Sequence, residues 1–371
     1  MKKQVKAWLP DSGWSLRPLF GGMIAGLLAL MSVLPAQAGI IAENDAVTAL
    51  MTSTAGTAND PSVYLFDNYV KDFLAANLYI GGAAGSEWVI LRVVNGSQVT
   101  TTGTLNGIGA GTSSTTTLTN GFCTVEVSGT GSGITWGSTR LGGRSSNNKL
   151  LIADGASASF TGQLYVGYYA GADSTNNVVV VDDATLDMGV LRLRFGYEAG
   201  NDFNKLIVQN GGVVTTGERI EVRNGSNQEI IVKDEGSSIT LTGSSTALQL
   251  AGSNIYCHDN TLTVADGGVV KLSNSGGTLV ITQNSVGGCG VRFAAGIFAV
   301  AGNRTTHLTY DKAWLWDGDS WEQAPSNWVG TYYADETAAT AAGRPGFGGY
   351  TVFTGGKSIA GALKTTLVVV K

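Results

Sequence analysis

The chain has 371 residues, with 23 Lys and Arg against 28 Asp and Glu for a formal charge of −5. That acidic, charge-poor balance excludes a nucleic-acid partner, which needs a concentrated positive patch for phosphates, and the length allows one large or two modest domains. Glycine, at 53 residues without an every-third period, excludes collagen, and 43% apolar residues exclude wholesale disorder.

The first element, MKKQVKAWLPDSGWSLRPLFGGMIAGLLALMSVLPAQAG, opens basic and carries an apolar run from Met23 to Leu34 before Ala36-Gln37-Ala38. The run is short for a membrane span and ends in a small-x-small cleavage pattern, so a secretory signal peptide is predicted over residues 1–38. Cleavage after Ala38 removes Lys2, Lys3, Lys6, Arg17 and Asp11, leaving 19 basic residues against 27 acidic ones, a charge of −8. The mature chain is expected to be a secreted or loosely surface-associated monomer with no membrane-spanning segment.

Residues 39–77 precede the repeats. DPSVYLFDNYVKDFLAANLYIGG, at 60–82, reads either as an amphipathic capping helix or as an imperfect first coil. A cap of some kind is required, because the open end of a strand stack invites self-association.

From 78 to 305 the chain repeats itself. A strand followed by an Asn/Asp-Gly-like corner recurs as RVVNGS, TLTNGF, LLIADGA, VVVVDDA, LIVQNGG, IIVKDEG and LTVADGG. The corners are marked by Asn95, Asn120, Asp154, Asp182, Asn210, Asp234 and Asp266, at spacings of 25, 34, 28, 28, 24 and 32 residues. A second strand in each unit aligns Leu164, Leu193, Ile220 and Leu248 in one apolar column and Val166, Phe195, Val222 and Leu250 in another, at offsets of 29, 27 and 28. LYIG, at Leu78, looks like an earlier member. Tyr165, Arg194, Glu221 and Gln249 lie between the columns and point the other way, since side chains alternate across a strand.

One such coil cannot bury its apolar face alone, but stacked coils in parallel register build a continuous core. The fold class predicted is therefore all-β: a single-stranded parallel β-helix, or β-solenoid, of about 7–8 coils. The strand-crossover preference makes it right-handed. Propeller blades need about 40 to 45 residues, longer than this unit, and a Greek-key sandwich does not give columns at a near-constant offset.

Residues 306–371 change composition and read as a small C-terminal cap. Trp314, Trp316, Trp321 and Trp328 fall within fifteen positions, ADETAATAAG reads as a short helix, and YTVFTGG and TTLVVVK read as closing strands. The segment is too short for a membrane-spanning barrel.

The stretches LLIADGASASFTGQLYVGYYAG, VVVVDDATLDMGVLRLRFGYEAG and LIVQNGGVVTTGERIEVRNGS resemble the glycine-rich repeats of bacterial autotransporter-associated and PEP-CTERM-associated β-helical proteins. The resemblance spans about half of the expected mature chain. It implies an exported, right-handed parallel β-helix at a bacterial cell surface. A translocator barrel and a sorting tail are both missing from the pattern, which favours release or non-covalent attachment.

No metal, cofactor or catalytic residue is predicted. The exposed face holding Arg192, Arg194, Arg219, Glu221 and Arg223 reads first as alternating charges on a solvated sheet, with a glycan-binding or catalytic face as the sharper alternative. Asp182, Asp183 and Asp187 read as turn-capping acids, and His258, between Cys257 and Asp259, lacks a partner nucleophile motif. The four tryptophans, with Asp317, Asp319, Asn327, Tyr332 and Tyr333, read either as a seal on the core or as a carbohydrate platform. Of Cys123, Cys257 and Cys289, the last two form the better candidate for a bridge, and buried thiols are the other option. The function expected is structural or adhesive, presenting a surface to glycans or neighbouring proteins. The alternative is a polysaccharide lyase or glycoside hydrolase built on a β-helix.

Overall fold

Three mostly parallel sheets, wound one strand at a time, make up the protein in a computed structural model that describes residues 40–41, 56–83, 86–110, 121–169, 174–243, 247–251, 257–281 and 288–359. The expected signal peptide, the Asn120 corner and TTLVVVK lie outside these residues. Among the described residues, no helix is long and apolar enough to cross a membrane.

Each coil runs through a strand of the first sheet, a corner, a strand of the second, a bend and a strand of the third. One coil consists of Lys149–Ala153, Ser157–Phe160 and Leu164–Val166, and the next of Val178–Asp182, Thr185–Asp187 and Leu193–Phe195. The sheets contain twelve, eleven and eight strands respectively. The eight strands of the third sheet, one per coil, are separated by seven inter-coil steps. The fold is thus the all-β, mostly parallel solenoid that the repeat predicts.

Register follows the apolar columns pair for pair. Leu164 pairs with Leu193, Leu193 with Ile220, and Ile220 with Leu248. On the first sheet Leu150, Val179, Leu206, Ile230, Leu262 and Val291 form one interior column, all at most 1% exposed. Burying each such side chain contributes about 1.5–3 kcal/mol, and only stacking removes both strand edges from water.

Corners explain the turn residues. Asn95, Asp154, Asn210, Asp234 and Asp266 have positive φ between the first and second sheets, where Asn and Asp are tolerated. In the VVVVDDA coil the left-handed residue is Asp183, at φ 47°, and not Asp182, which ends the strand. A second set of left-handed residues precedes the first sheet and includes Asn147, Asn176, Phe203, Asn227 and Asp259.

At the N-terminal end, DPSVYLFDNYV forms the strands Ser62–Asp67 and Val70–Asp72, both parallel to the following coil. The coil alternative is the one observed. Its inward Tyr64 and Phe66 continue the core at 2% and 1% exposure, so period-two burial prevails over helical periodicity.

At the other end the direction of pairing reverses. Gly290–Ala294 still pairs in parallel with Ala313–Trp316, but Trp321–Gln323 and Tyr350–Gly355 add antiparallel strands to the first and second sheets. The short helix expected in ADETAATAAG runs Glu336–Ala341, where the Asp335 carboxylate accepts from the Ala338 amide at 2.8 Å.

Candidate functional site

The third sheet holds the charged residues that the sequence singles out. Tyr79, Gly107, Arg140, Tyr165, Arg194, Glu221 and Gln249 share one outward column, strand by strand. Arg194 and Glu221 lie 3.4 Å apart with side chains 9% exposed, and Arg219 approaches the same carboxylate at 3.7 Å. Arg192 forms its ion pair with Glu218 instead. Three of the five predicted charges therefore meet, while Arg192 lies one position before its strand and Arg223 one position after its own.

Around them is a feature that strand alternation alone did not reveal. The corner after the third sheet places Tyr168 and Tyr197 in adjacent coils, with rings stacked at 4.9 Å and 16° between planes. That distance matches the inter-strand spacing of about 4.8 Å. Tyr165 meets both rings edge-on, at 4.6 and 5.4 Å.

Arginines flank these rings. The Arg140 guanidinium lies 4.3 Å from the Tyr168 centroid and 4.9 Å from that of Tyr169, and it donates to the Tyr169 hydroxyl. Arg223 lies 4.2 Å from Tyr197, and Arg144 lies 5.5 Å from Tyr169. All are within cation–π range. Among the described residues, no carboxylate pairs with Arg140, Arg144 or Arg223. Burial pushes the Tyr79 and Tyr165 phenols above their ordinary value, against the opposing pull of Arg140 and Arg194, so both remain neutral hydroxyls. The sequence signal for this cluster is a tyrosine straight after the third-sheet glycine, in LYVGYY and LRFGYE.

The tryptophans do not form one platform. Trp314 and Trp316 project from the same side of their strand, between buried Ala313 and core-packed Leu315. Trp314 lies over Gly290, whereas Trp316 meets Trp321 at 5.2 Å on a patch of Ala265, Ala294 and Ile359. Trp328 turns inward onto Phe293 and Phe353, and its Nε1 donates to the Thr354 carbonyl at 3.1 Å. Sealing the end of the core accounts for Trp328.

The acids of the VVVVDDATLD stretch are engaged in ladder and turn bonds. Asp182 accepts from Gln209 at 2.8 Å and from Asn210 at 2.7 Å, both in the next coil. Asp187 accepts from Thr215 at 2.8 Å and from the Gly189 amide at 2.9 Å.

The most regular polar pattern escaped the sequence reading. Cys123, Asn148, Asn177, Asn204, Gln228, Asn260 and Cys289 occupy the position just before seven successive first-sheet strands, all at most 2% exposed. The Asn177 Oδ1 accepts from the Asn148 backbone at 3.1 Å and from its side chain at 2.8 Å. Asn204 receives Asn177 in the same way, at 3.0 Å for both bonds. Gln228 donates its backbone amide to Asn260, and Asn260 donates its own to the Cys289 sulfur at 3.4 Å.

Three residues before the ladder, Ser145 and Ser174 donate to the carbonyls of Gly109 and Gly142. Cys257 does the same to Arg223 at 3.2 Å. The bridge considered for Cys257 and Cys289 is thus replaced by two buried thiols with separate duties in one ladder. Burial pushes the Cys123 thiol up to about 12. His258 and Asp259 lie within the same corner, hydrogen-bonded to each other at 2.9 Å, and Asp259 supplies its left-handed residue.

No family model, curated protein or solved structure matches the chain.

Proposed function

We propose that the chain is an exported structural or adhesive β-solenoid that presents its tyrosine–arginine face to surface glycans or neighbouring proteins. The observation that carries this reading is the contrast between acids and arginines. Asp182 and Asp187 serve corners, Glu221 serves Arg194 and Arg219, and Glu218 serves Arg192. Arg140, Arg144 and Arg223 instead face aromatic rings on a half-exposed surface. Such a surface binds and orients, because hydrolysis or elimination at a sugar needs carboxylates or a base aimed at the linkage. The repeat resemblance and the basic–apolar leader support export to a bacterial surface.

A glycan array and a surface-protein pull-down, combined with a polysaccharide-degradation screen, test the proposal. Retention without product is the expected result. Unsaturated, ultraviolet-absorbing products would establish a lyase in its place.

A further inference from the structure

Resting on the glycan-facing reading above, we infer that the tyrosine–arginine face holds a linear polysaccharide bearing uronic-acid carboxylates, laid along the stacking direction of the coils. Arg140, Tyr168, Tyr197 and Arg223 belong to four successive coils. At about 4.8 Å per coil they span about 14 Å, an oligosaccharide's length and more than a single sugar needs. Arg140 and Arg223 cover the outer faces of the stacked Tyr168 and Tyr197 rings, so the rings present their edges along the path between the two guanidinium groups. The arginines at both ends offer planar forks that match carboxylates bidentately.

Charge selects the class. The chain as a whole is net acidic, at −5, yet among the described residues this face sets Arg140, Arg144 and Arg223 without ion-paired carboxylates. Their cation–π contacts hold the guanidinium groups in place, which lowers the ordering cost of binding. A uronan carries one carboxylate per sugar, so one chain laid along the column meets the arginines at both of its ends.

The test uses the full chain in affinity electrophoresis and calorimetry with alginate, polygalacturonate, methyl-esterified polygalacturonate, dextran sulfate and single-stranded RNA. Binding to a carboxylated polymer is expected, with esterification weakening it at least tenfold. Arg140→Gln and Arg223→Gln should each weaken it about tenfold, with unchanged far-ultraviolet dichroism and melting. Arg92→Gln, on another sheet, should leave it unaltered. Equal binding of the esterified polymer, tighter binding of dextran sulfate or RNA, or parent-like binding by both arginine variants would overturn the inference. Retention of neutral glycans unaffected by those variants sinks this inference alone. Retention of no glycan and no surface protein sinks the broader reading as well.

Discussion

Two polar columns lie near the same corner of the solenoid, one inside and one outside, and they use polar groups in opposite ways. The inner ladder of Asn148, Asn177 and Asn204 is fully buried; the amide oxygens of Asn177 and Asn204 each take two donors from the preceding coil, and that of Asn148 takes the Cys123 amide. The outer tyrosine–arginine column is half-exposed and leaves guanidinium forks over aromatic rings without carboxylates. A closed column stabilises the stack, because a buried amide left unpaired costs about 1–3 kcal/mol. An open column has capacity to spare, which is what a binding surface requires.

The largest expected effect comes from breaking the inner column at its glycine. Gly142 has a φ of 70°, and a Cβ there would collide with the Asn177 amide. Gly142→Ala should therefore combine left-handed strain with overpacking and destabilise by about 3 kcal/mol or more. A Gly142→Ala/Asn177→Ala double variant relieves the collision but not the strain. Urea titration of the single and double variants measures the coupling, and an unchanged midpoint for Gly142→Ala would show that the corner is not packed as described.

Next comes Asn177 itself. Asn177→Leu leaves the Asn148 backbone and side-chain donors without their acceptor and should cost about 2–3 kcal/mol. Hydrogen exchange locates the loss: the Asn148 amide should lose protection well before the interior strand Val178–Asp182. Uniform loss along the chain would mean that the ladder is not a separate contribution.

These two columns also mark how far the sequence could be read. Apolar columns were legible because strand alternation and a near-constant coil offset both reach into the core, so Leu164, Leu193, Ile220 and Leu248 aligned without ambiguity. Asn148 and Asn177 were not legible as ladder members, because asparagine before a strand looks like an ordinary turn residue. Burial is conferred by the glycine of the preceding coil, Gly109 or Gly142, some 35 to 39 residues upstream. The tyrosine cluster was hidden for a related reason. Tyr165 belongs to a strand and Tyr168 to the following corner, so they meet only once the chain bends. DPSVYLFDNYV was ambiguous because its apolar residues suit either period, and pairing with the next coil decides for strands.

The outer column can be broken at its one well-buried ion pair. Arg194→Gln leaves Glu221 facing only the more distant Arg219, and a cost of about 1–3 kcal/mol is expected. Arg194→Met/Glu221→Leu should regain most of it, since a well-packed apolar pair replaces a desolvated ionic one. Thermal melts of the single and double variants settle the sign. A double variant less stable than Arg194→Gln would mean that Glu221 has a further partner on this face.

The smallest effect is absent at neutral pH and appears only in acid, where the third sheet ends. The amide of Leu279, on its last strand, donates to the His307 Nε2 at 2.9 Å, so His307 must be neutral to accept. Burial first, and the Arg304 cation second, hold its pKa below the ordinary value near 6.5. An unfolded chain therefore takes up a proton at a pH where the native histidine does not. Stability is full above about pH 6.5 and falls as the pH drops toward the folded value, because the unfolded state binds more protons across that window. His307→Gln retains an acceptor without titrating, and in urea midpoints measured from pH 8 to pH 5 it should flatten the acid arm. An identical acid arm in parent and variant would leave His307 a neutral end-stop whose protonation the fold does not feel.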